Sequence, residues 1–322
     1  MASHEGSTTE TRIGVAPHRL WPDGAGELDE VLQTAVRAEE LGLDHVFASG
    51  HAVAGDLGVT PDALVLLAAI AGATRRIGLV TSILVLPLYN TLVLAHQTAT
   101  LDRLSGGRFT LGVGTGWDAE EFAAVGVPFA GRGHRMDEQL AAVRQLWRGE
   151  GSPRLGVLPR TEGGPPVWVG GQGDAALRRA LRFGDAWHGS GVDAEALTGV
   201  RARLDALGGE VGRDPGTLEL TAGLFLVPPG FTPAVKVPGR PLGGQDATAE
   251  SVRDELGRLS DAGLVSASLW LPVATEALPD ALAWVGEELV PRFPWTVEEV
   301  RGSERHRTRG KRMGSPLIHA MV

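Results

Sequence analysis

The fold of this chain is decided by residues 77–116, IGLVTSILVLPLYNTLVLAHQTATLDRLSGGRFTLGVGTG. The first ten of these residues are nearly all apolar, which is typical of a parallel strand covered on both faces. Residues 91–104 have helical spacing, a Ser-Gly-Gly turn follows, and residues 108–112 lead into a glycine-rich end. The stretch therefore predicts a strand, a crossover helix and a second parallel strand.

The same alternation extends along the chain in both directions. Strands are predicted at residues 12–17, 44–49, 77–86, 108–112, 166–170, 185–189, 217–227 and 265–271. Helices are predicted between them, including one that starts at Pro61 with Thr60 as its N-cap. Eight such units without a domain break favour a closed barrel over an open sheet, because closure removes the edge strands.

The predicted fold class is therefore α/β, a (β/α)8 TIM barrel over residues 12–289. Two long insertions are expected, at 116–166 after strand four and at 228–246 after strand seven. Both follow the carboxyl ends of strands, where TIM barrels carry their active sites. Residues 1–11 are predicted to be a disordered N-terminus, and the basic residues 290–322 a mobile C-terminal tail.

Composition excludes several classes of function. The 322-residue chain has a net charge of −9, which disfavours nucleic acid and anionic membrane surfaces as partners. It has no cysteine, so disulfides and thiolate chemistry are excluded. The N-terminus lacks the apolar segment of a signal peptide, and we expect a cytoplasmic protein. No metal-ligand spacing, GxSxG or Walker motif occurs, so no metal site is predicted.

Three segments resemble the luciferase-like monooxygenase family, especially its branch that uses the deazaflavin coenzyme F420. They are residues 81–117, with ATLDRLSGGR and GVGTGW; residues 120–147, with EEFAAVGVPFAGRGHRMDEQ; and residues 165–188, with PPVWVGGQGDAALRRALRFGDAWH. The resemblance covers about residues 12–289. It implies an oxidoreductase in which reduced F420 passes hydride to a small organic substrate, or the reverse, and it implies a homodimer.

The resemblance also implies where the cofactor lies. The candidates around its ring are Ser49, Thr81, Ser82, Ile83, Gly114, Thr115 and Gly116. A cis peptide bond is implied between Ser82 and Ile83. The glycine-rich turn Gly170, Gly171, Gln172 and Gly173 opens a helix at Asp174, whose first-turn N–H groups suit a cofactor phosphate.

His51 and Trp117 are the candidate catalytic residues, His51 as a proton donor or substrate contact and Trp117 as a wall of the pocket. The candidate substrate-binding residues are Tyr89, Glu120, His134 and His188. Asp118, Glu120 and Glu121 are interpreted mainly as carboxylates that favour a helix start.

One residue departs from the family pattern in a way that affects cofactor choice. Many relatives have Ser-Asp-His where this chain has Ser49-Gly50-His51, and that departure leaves the cofactor open. The alternatives are an FMN-dependent two-component monooxygenase and a non-catalytic flavin-binding barrel.

Overall fold

Eight parallel strands close into one barrel in the computed structural model, which describes residues 11–17, 28–53, 60–150 and 152–290. The strands are β1 (Arg12–Val15), β2 (His45–Gly50), β3 (Gly78–Val85), β4 (Phe109–Gly114), β5 (Val167–Gly170), β6 (Ala186–Ser190), β7 (Glu219–Phe225) and β8 (Leu264–Trp270). Each pairs with its neighbours in chain order, and β8 closes on β1. The predicted TIM barrel is confirmed.

Helices surround the barrel. They are α1 (Leu28–Glu40), α2 (Ala63–Ala73), α3 (Thr91–Ser105), α4 (Ala119–Ala124), α5 (Arg132–Trp147), α6 (Asp174–Phe183), α7 (Ala194–Val211), α8 (Ala249–Asp261) and α9 (Leu278–Glu288). The main apolar core contains buried side chains from both helices and strands. A second, smaller cluster combines Ala16, Phe47, Val80, Trp168 and Ala186 from neighbouring parts of the barrel.

Several predicted boundaries need correction. Helix α2 begins at Ala63, and its N-cap is Asp62 rather than Thr60, because the Asp62 carboxylate accepts a hydrogen bond from Val65 N at 2.9 Å. The Thr60 hydroxyl instead donates to His51 O at 2.9 Å. The insertion after β4 contains the short helix α4, whose start the acidic cluster at residues 118–121 indicates although its periodicity does not.

The predictions for the two chain ends fall on residues 1–10 and 291–322, which lie outside the described residues. Among the described residues, no helix has the length and apolar character needed to cross a membrane.

Strand β3 carries a bulge near the barrel mouth. Val80 pairs with Thr110 and Leu84 with Val113, so β3 has one more residue than β4 over this span. The register with β2 shifts at the same place, between Ala48 and Gly50. A β-bulge of this kind bends the strand and redirects its side chains. The bulge therefore shapes the face of the barrel on which the predicted site lies.

Candidate active site

Thr81 ties the β3 bulge to β4. Its hydroxyl donates to Gly112 O at 2.7 Å and accepts from Gly112 N at 2.8 Å. A Cβ added to Gly112 would lie 1.9 Å from Thr81 O, so only glycine fits there. The next peptide bond, Ser82–Ile83, is cis, as the family resemblance implies. The sequence predicts that Thr81 binds the cofactor, but its hydroxyl is engaged with the β4 backbone and it acts as a support.

Ile83 and two bare glycines form an apolar platform at the carboxyl ends of β3, β4 and β5. A Cβ on Gly114 would lie 2.3 Å from Ile83 Cδ1, and one on Gly170 would lie 2.4 Å from the same atom. The Ile83 side chain therefore lies across both glycines, and it is partly exposed. We call Ile83, Gly114 and Gly170 the Ile83 platform. Its apolar surface suits the face of a flavin-type ring.

The turn from Gly170 to Gly173 leaves the start of α6 open. Gly173 is the N-cap and contributes no side-chain cap, and a Cβ added there would meet no atom within 4 Å. Trp187 Nε1 donates to Gly171 O at 2.7 Å, and Gln172 Nε2 donates to Ser190 O at 2.9 Å. The turn is held from below while its exposed side remains accessible, which is the arrangement that an anion at a helix N-terminus requires.

Arg203 brings a cation to the same turn, although the sequence did not single it out. Its guanidinium donates to Gln172 O at 3.0 Å and pairs with Asp174 at 2.5 Å. The hydrogen bond and charge of Arg203 lower the pKa of the exposed Asp174 carboxyl. Arg203 thus offsets the negative charge of the first helical residue beside the predicted phosphate site. It lies on α7, and no motif marks it in the sequence.

His51 forms a pair with a carboxylate from another strand connection. Its Nδ1 lies 3.2 Å from Glu121 Oε2, and the other Glu121 oxygen accepts from Ala52 N at 2.5 Å. The Glu121 side chain is fully buried, whereas that of His51 is 29% exposed. The ring of Trp117 approaches His51 edge-on, with ring centroids 5.7 Å apart. The structure therefore brings both predicted catalytic residues together.

The three acidic residues after β4, Asp118, Glu120 and Glu121, have different surroundings. Asp118 caps α4 by accepting from Glu120 N at 2.9 Å, as the helix-start interpretation predicts. Glu120, predicted to bind substrate, is exposed, and its neighbour Glu121 turns inward to His51. Successive helical residues point in different directions, so adjacent glutamates differ in role. The sequence singles out Glu120 as a substrate contact and does not indicate that Glu121 contacts His51.

Tyr89 and His51 line one small cavity of about 170 Å³, together with Gly50, Ala52 and Asp62. Burial raises the pKa of the Tyr89 hydroxyl to about 12, and the nearby carboxylates of Asp62 and Glu121 act in the same direction. The hydroxyl therefore remains protonated at neutral pH and can donate a hydrogen bond. This geometry suits the predicted role of Tyr89 in binding a polar substrate group.

His188 and His134 differ from their predicted roles as substrate contacts. His188 is buried, and both ring nitrogens have partners, Ser82 Oγ at 2.9 Å and Thr221 Oγ1 at 2.8 Å. No ring nitrogen of His188 is left for a substrate. His134 lies on the exposed side of α5, where it pairs with Glu138 at 3.4 Å. Both side chains are therefore explained by contacts within the protein.

The remaining ring candidates lie at the ends of β2 and β4. Ser49 is buried, whereas Thr115 and Gly116 are partly exposed. A Cβ on Gly116 would lie 2.5 Å from Val85 Cγ1, and its φ is +74°, so glycine is required on both counts. Arg132 Nε donates to Gly116 O at 3.1 Å and holds this loop.

The backbone packed against Gly50 explains why this chain lacks the aspartate that many relatives have between the serine and the histidine. A Cβ added to Gly50 would lie 2.6 Å from Leu84 Cα and 3.1 Å from Ile83 O. These are backbone atoms of the bulged strand, which cannot move aside cheaply. The local backbone therefore excludes an aspartate at position 50. A carboxylate contact to His51 comes from Glu121 instead.

Comparison with known proteins gives a family match and curated relatives. Residues 11–228 match the family model described as luciferase-like monooxygenase. An F420-dependent glucose-6-phosphate dehydrogenase of Kineococcus radiotolerans is 36% identical over 207 residues, which are 58% of this chain and 61% of that protein. The chain thus spans less than two thirds of the length of this curated relative.

Solved structures support the fold. An F420-dependent secondary alcohol dehydrogenase, in complex with an F420-acetone adduct, superposes with a TM-score of 0.71 at 20% identity and covers 87% of this chain and 98% of its own. A monooxygenase from Streptomyces bottropensis gives 0.70 at 20% identity, covering 88% and 100%. By the family match over most of its barrel, this chain belongs to the luciferase-like monooxygenase family.

Proposed function

We propose that this protein is an F420-dependent oxidoreductase that acts on a small organic substrate. Bound F420 supplies hydride transfer, the chemistry that the protein's own side chains lack. Support comes from the F420-dependent relative that is 36% identical, and from the Ile83 platform and the open turn before α6. The platform suits a flat ring, and the turn suits a phosphate.

The observation that carries this proposal is the His51–Glu121 pair. A carboxylate can only accept, so a neutral His51 ring donates from Nδ1 to Glu121 and keeps an unprotonated Nε2. That nitrogen can take a proton from a substrate hydroxyl or, once protonated, return it to a carbonyl oxygen. Glu121 also accepts from Ala52 N, so its orientation is fixed from two sides. His51 is the proton-transfer residue, and Glu121 positions it.

The other groups bind and orient. Trp117 is 64% exposed beside His51, so its indole can cover a bound substrate and exclude water. Tyr89 donates a hydrogen bond from the cavity that it shares with His51. Arg203 and the start of α6 would hold the cofactor phosphate, and the Ile83 platform would support the ring.

An FMN-dependent monooxygenase is the second candidate. Its support is that the Streptomyces bottropensis monooxygenase superposes as well as the F420-dependent alcohol dehydrogenase does, with TM-scores of 0.70 and 0.71. Both cofactors carry a flat tricyclic ring and a phosphate, so the platform and the turn suit either one.

An anaerobic assay separates the two candidates. Reduced or oxidised F420 is mixed with the full chain and with a panel of small alcohols, sugar phosphates and carbonyl compounds, and the F420 absorbance is followed. We expect turnover with at least one substrate and a loss of about 10²-fold or more in His51→Gln, the scale of a missing acid–base group. Oxygen consumption with reduced FMN in a parallel aerobic assay, together with no F420 turnover in the anaerobic one, would support the monooxygenase instead.

A further inference from the structure

A polar relay runs from the mouth of the barrel into its interior, through Ser82, His188 and Thr221. Ser82 Oγ lies 2.9 Å from His188 Nε2, and His188 Nδ1 lies 2.8 Å from Thr221 Oγ1. Thr221 continues the relay to the backbone oxygen of Trp187 at 3.0 Å. His188 and Thr221 are buried, whereas Ser82 is partly exposed beside the cis peptide bond. The relay therefore has one accessible end.

The direction of the hydrogen bonds in the relay follows from its buried end, the Trp187 carbonyl. The Trp187 carbonyl can only accept, so the single Thr221 hydroxyl proton goes to it. Thr221 Oγ1 must then accept from His188 Nδ1–H, which leaves Nε2 of the neutral ring unprotonated. Nε2 accepts from the Ser82 hydroxyl. With Thr221 donating to that carbonyl, each hydrogen bond of the relay has one donor and one acceptor.

The surroundings keep His188 neutral and fixed. Burial lowers its pKa to about 4, so it carries one ring proton at neutral pH. The Trp168 ring stacks on it at 5.3 Å between centroids and 21° between planes. The β7 residue that faces His188 Nε2 is Gly223, which has no side chain; an added Cβ there would lie 3.6 Å from that nitrogen. The imidazole therefore has little freedom to rotate.

We propose that Ser82 is a hydrogen-bond acceptor for the bound ligand, because its own proton is committed to His188, and that His188 and Thr221 are positioning residues that fix this polarity. The ligand group it takes is an N–H or O–H donor. This inference rests on the proposed function, since the donor belongs either to the cofactor ring or to a substrate hydroxyl. A carbonyl oxygen at the same place is disfavoured, because Ser82 has no second proton to donate.

The tautomer is tested first, on the full chain without ligand. Histidine side chains are labelled with ¹⁵N, and the His188 signal is assigned by its loss in His188→Gln or, if that variant does not fold, by its change in Thr221→Val. We expect Nδ1 protonated and Nε2 unprotonated between pH 6 and 8 in the wild type. In Thr221→Val the proton is expected on Nε2, because its Nδ1 partner is gone. A wild-type His188 protonated on Nε2 would overturn the relay.

Ligand binding tests the accessible end. We expect Ser82→Ala to weaken the binding of F420, or the KM of substrate, by about 2- to 10-fold, the range of one neutral hydrogen bond. A change in the cofactor Kd assigns the donor to the ring, and a change in KM alone assigns it to the substrate. Thr221→Val is expected to change the same constant in the same direction, whereas Thr198→Val on the exposed surface of α7 is the matched control.

The outcomes remain distinguishable. If neither Ser82→Ala nor Thr221→Val changes Kd or KM by twofold, the acceptor role of Ser82 is wrong while the proposed function stands. If the wild-type chain binds neither F420 nor FMN, the proposed function and the ligand role both fail, and the tautomer measurement still decides the relay.

Discussion

Replacing Glu121 by glutamine should abolish most turnover while leaving the fold intact. The amide oxygen of the new side chain can still accept from Ala52 N, but its NH₂ group then faces His51 Nδ1 and makes that nitrogen an acceptor. The ring proton moves to Nε2, the nitrogen that the proposed reaction needs unprotonated. General acid–base catalysis contributes about 10²- to 10⁴-fold. We therefore expect kcat to fall about 10²-fold or more.

The cost in stability should be small by comparison. A hydrogen bond to a charged group stabilises a fold by about 1 kcal/mol more than a neutral hydrogen bond does. In a chain of this size, that loss lowers the Tm by at most roughly 2–4 °C. The assay is anaerobic single turnover with F420, beside a thermal melt. Glu287→Gln is the matched control, because Glu287 is exposed on α9, outside the candidate site, and should retain wild-type turnover. Turnover of the Glu121→Gln variant within threefold of the wild type would mean that Glu121 does not control the protonation of His51 Nε2.

Three further predictions concern the scaffold. Gly50→Ala should lower the free energy of unfolding by about 1–3 kcal/mol, the cost of overpacking, because its Cβ would lie 2.6 Å from the β3 backbone; urea unfolding measures this, and an unchanged midpoint would contradict it. Thr81→Val should lower the free energy of unfolding by about 1–3 kcal/mol in the same assay, because it leaves the buried backbone groups of Gly112 in β4 unpaired. An unchanged free energy would mean that these two hydrogen bonds do not stabilise the bulge. Acid should destabilise the fold through His45 and His188, whose pKa values burial lowers to about 3 and about 4. As the pH falls below about 6.5, these histidines become protonated in the unfolded chain but stay neutral in the folded chain. Each histidine should therefore lower the free energy of unfolding by about 2 kcal/mol at pH 5. His45→Gln should remove about half of this loss of stability.

The barrel could be predicted because strand periodicity and strand order are local signals. The apolar run in residues 77–86 and the glycines after it identify β3 and β4 without tertiary information. The turn at Gly170–Gly173 is located in the same way, since glycine and the helix start at Asp174 are adjacent in sequence. The boundary of α2 is harder to predict, because Asp62 rather than Thr60 reaches the first-turn N–H groups.

The partners of the site residues could not be predicted, because they come from distant strands. Glu121 meets His51 across 70 positions, and Ser82 meets His188 across 106. The choice between Glu120 and Glu121 depends on the rotation of α4, a six-residue helix too short to show a periodic pattern. The position of His188 at a strand end predicts a residue of the barrel mouth, but its side chain points into the barrel, where Thr221 holds it.

The most direct test of the account is the affinity of F420 for the full chain compared with the Gly173→Asp variant. The backbone of Gly173 is extended and nothing lies within 4 Å of an added Cβ, so aspartate fits and caps α6. The same carboxylate would repel a phosphate at the helix start. We expect an unchanged or higher Tm and at least tenfold weaker binding of F420, a loss of about 1.4 kcal/mol. Equal affinity in the two proteins would contradict a cofactor phosphate at this turn.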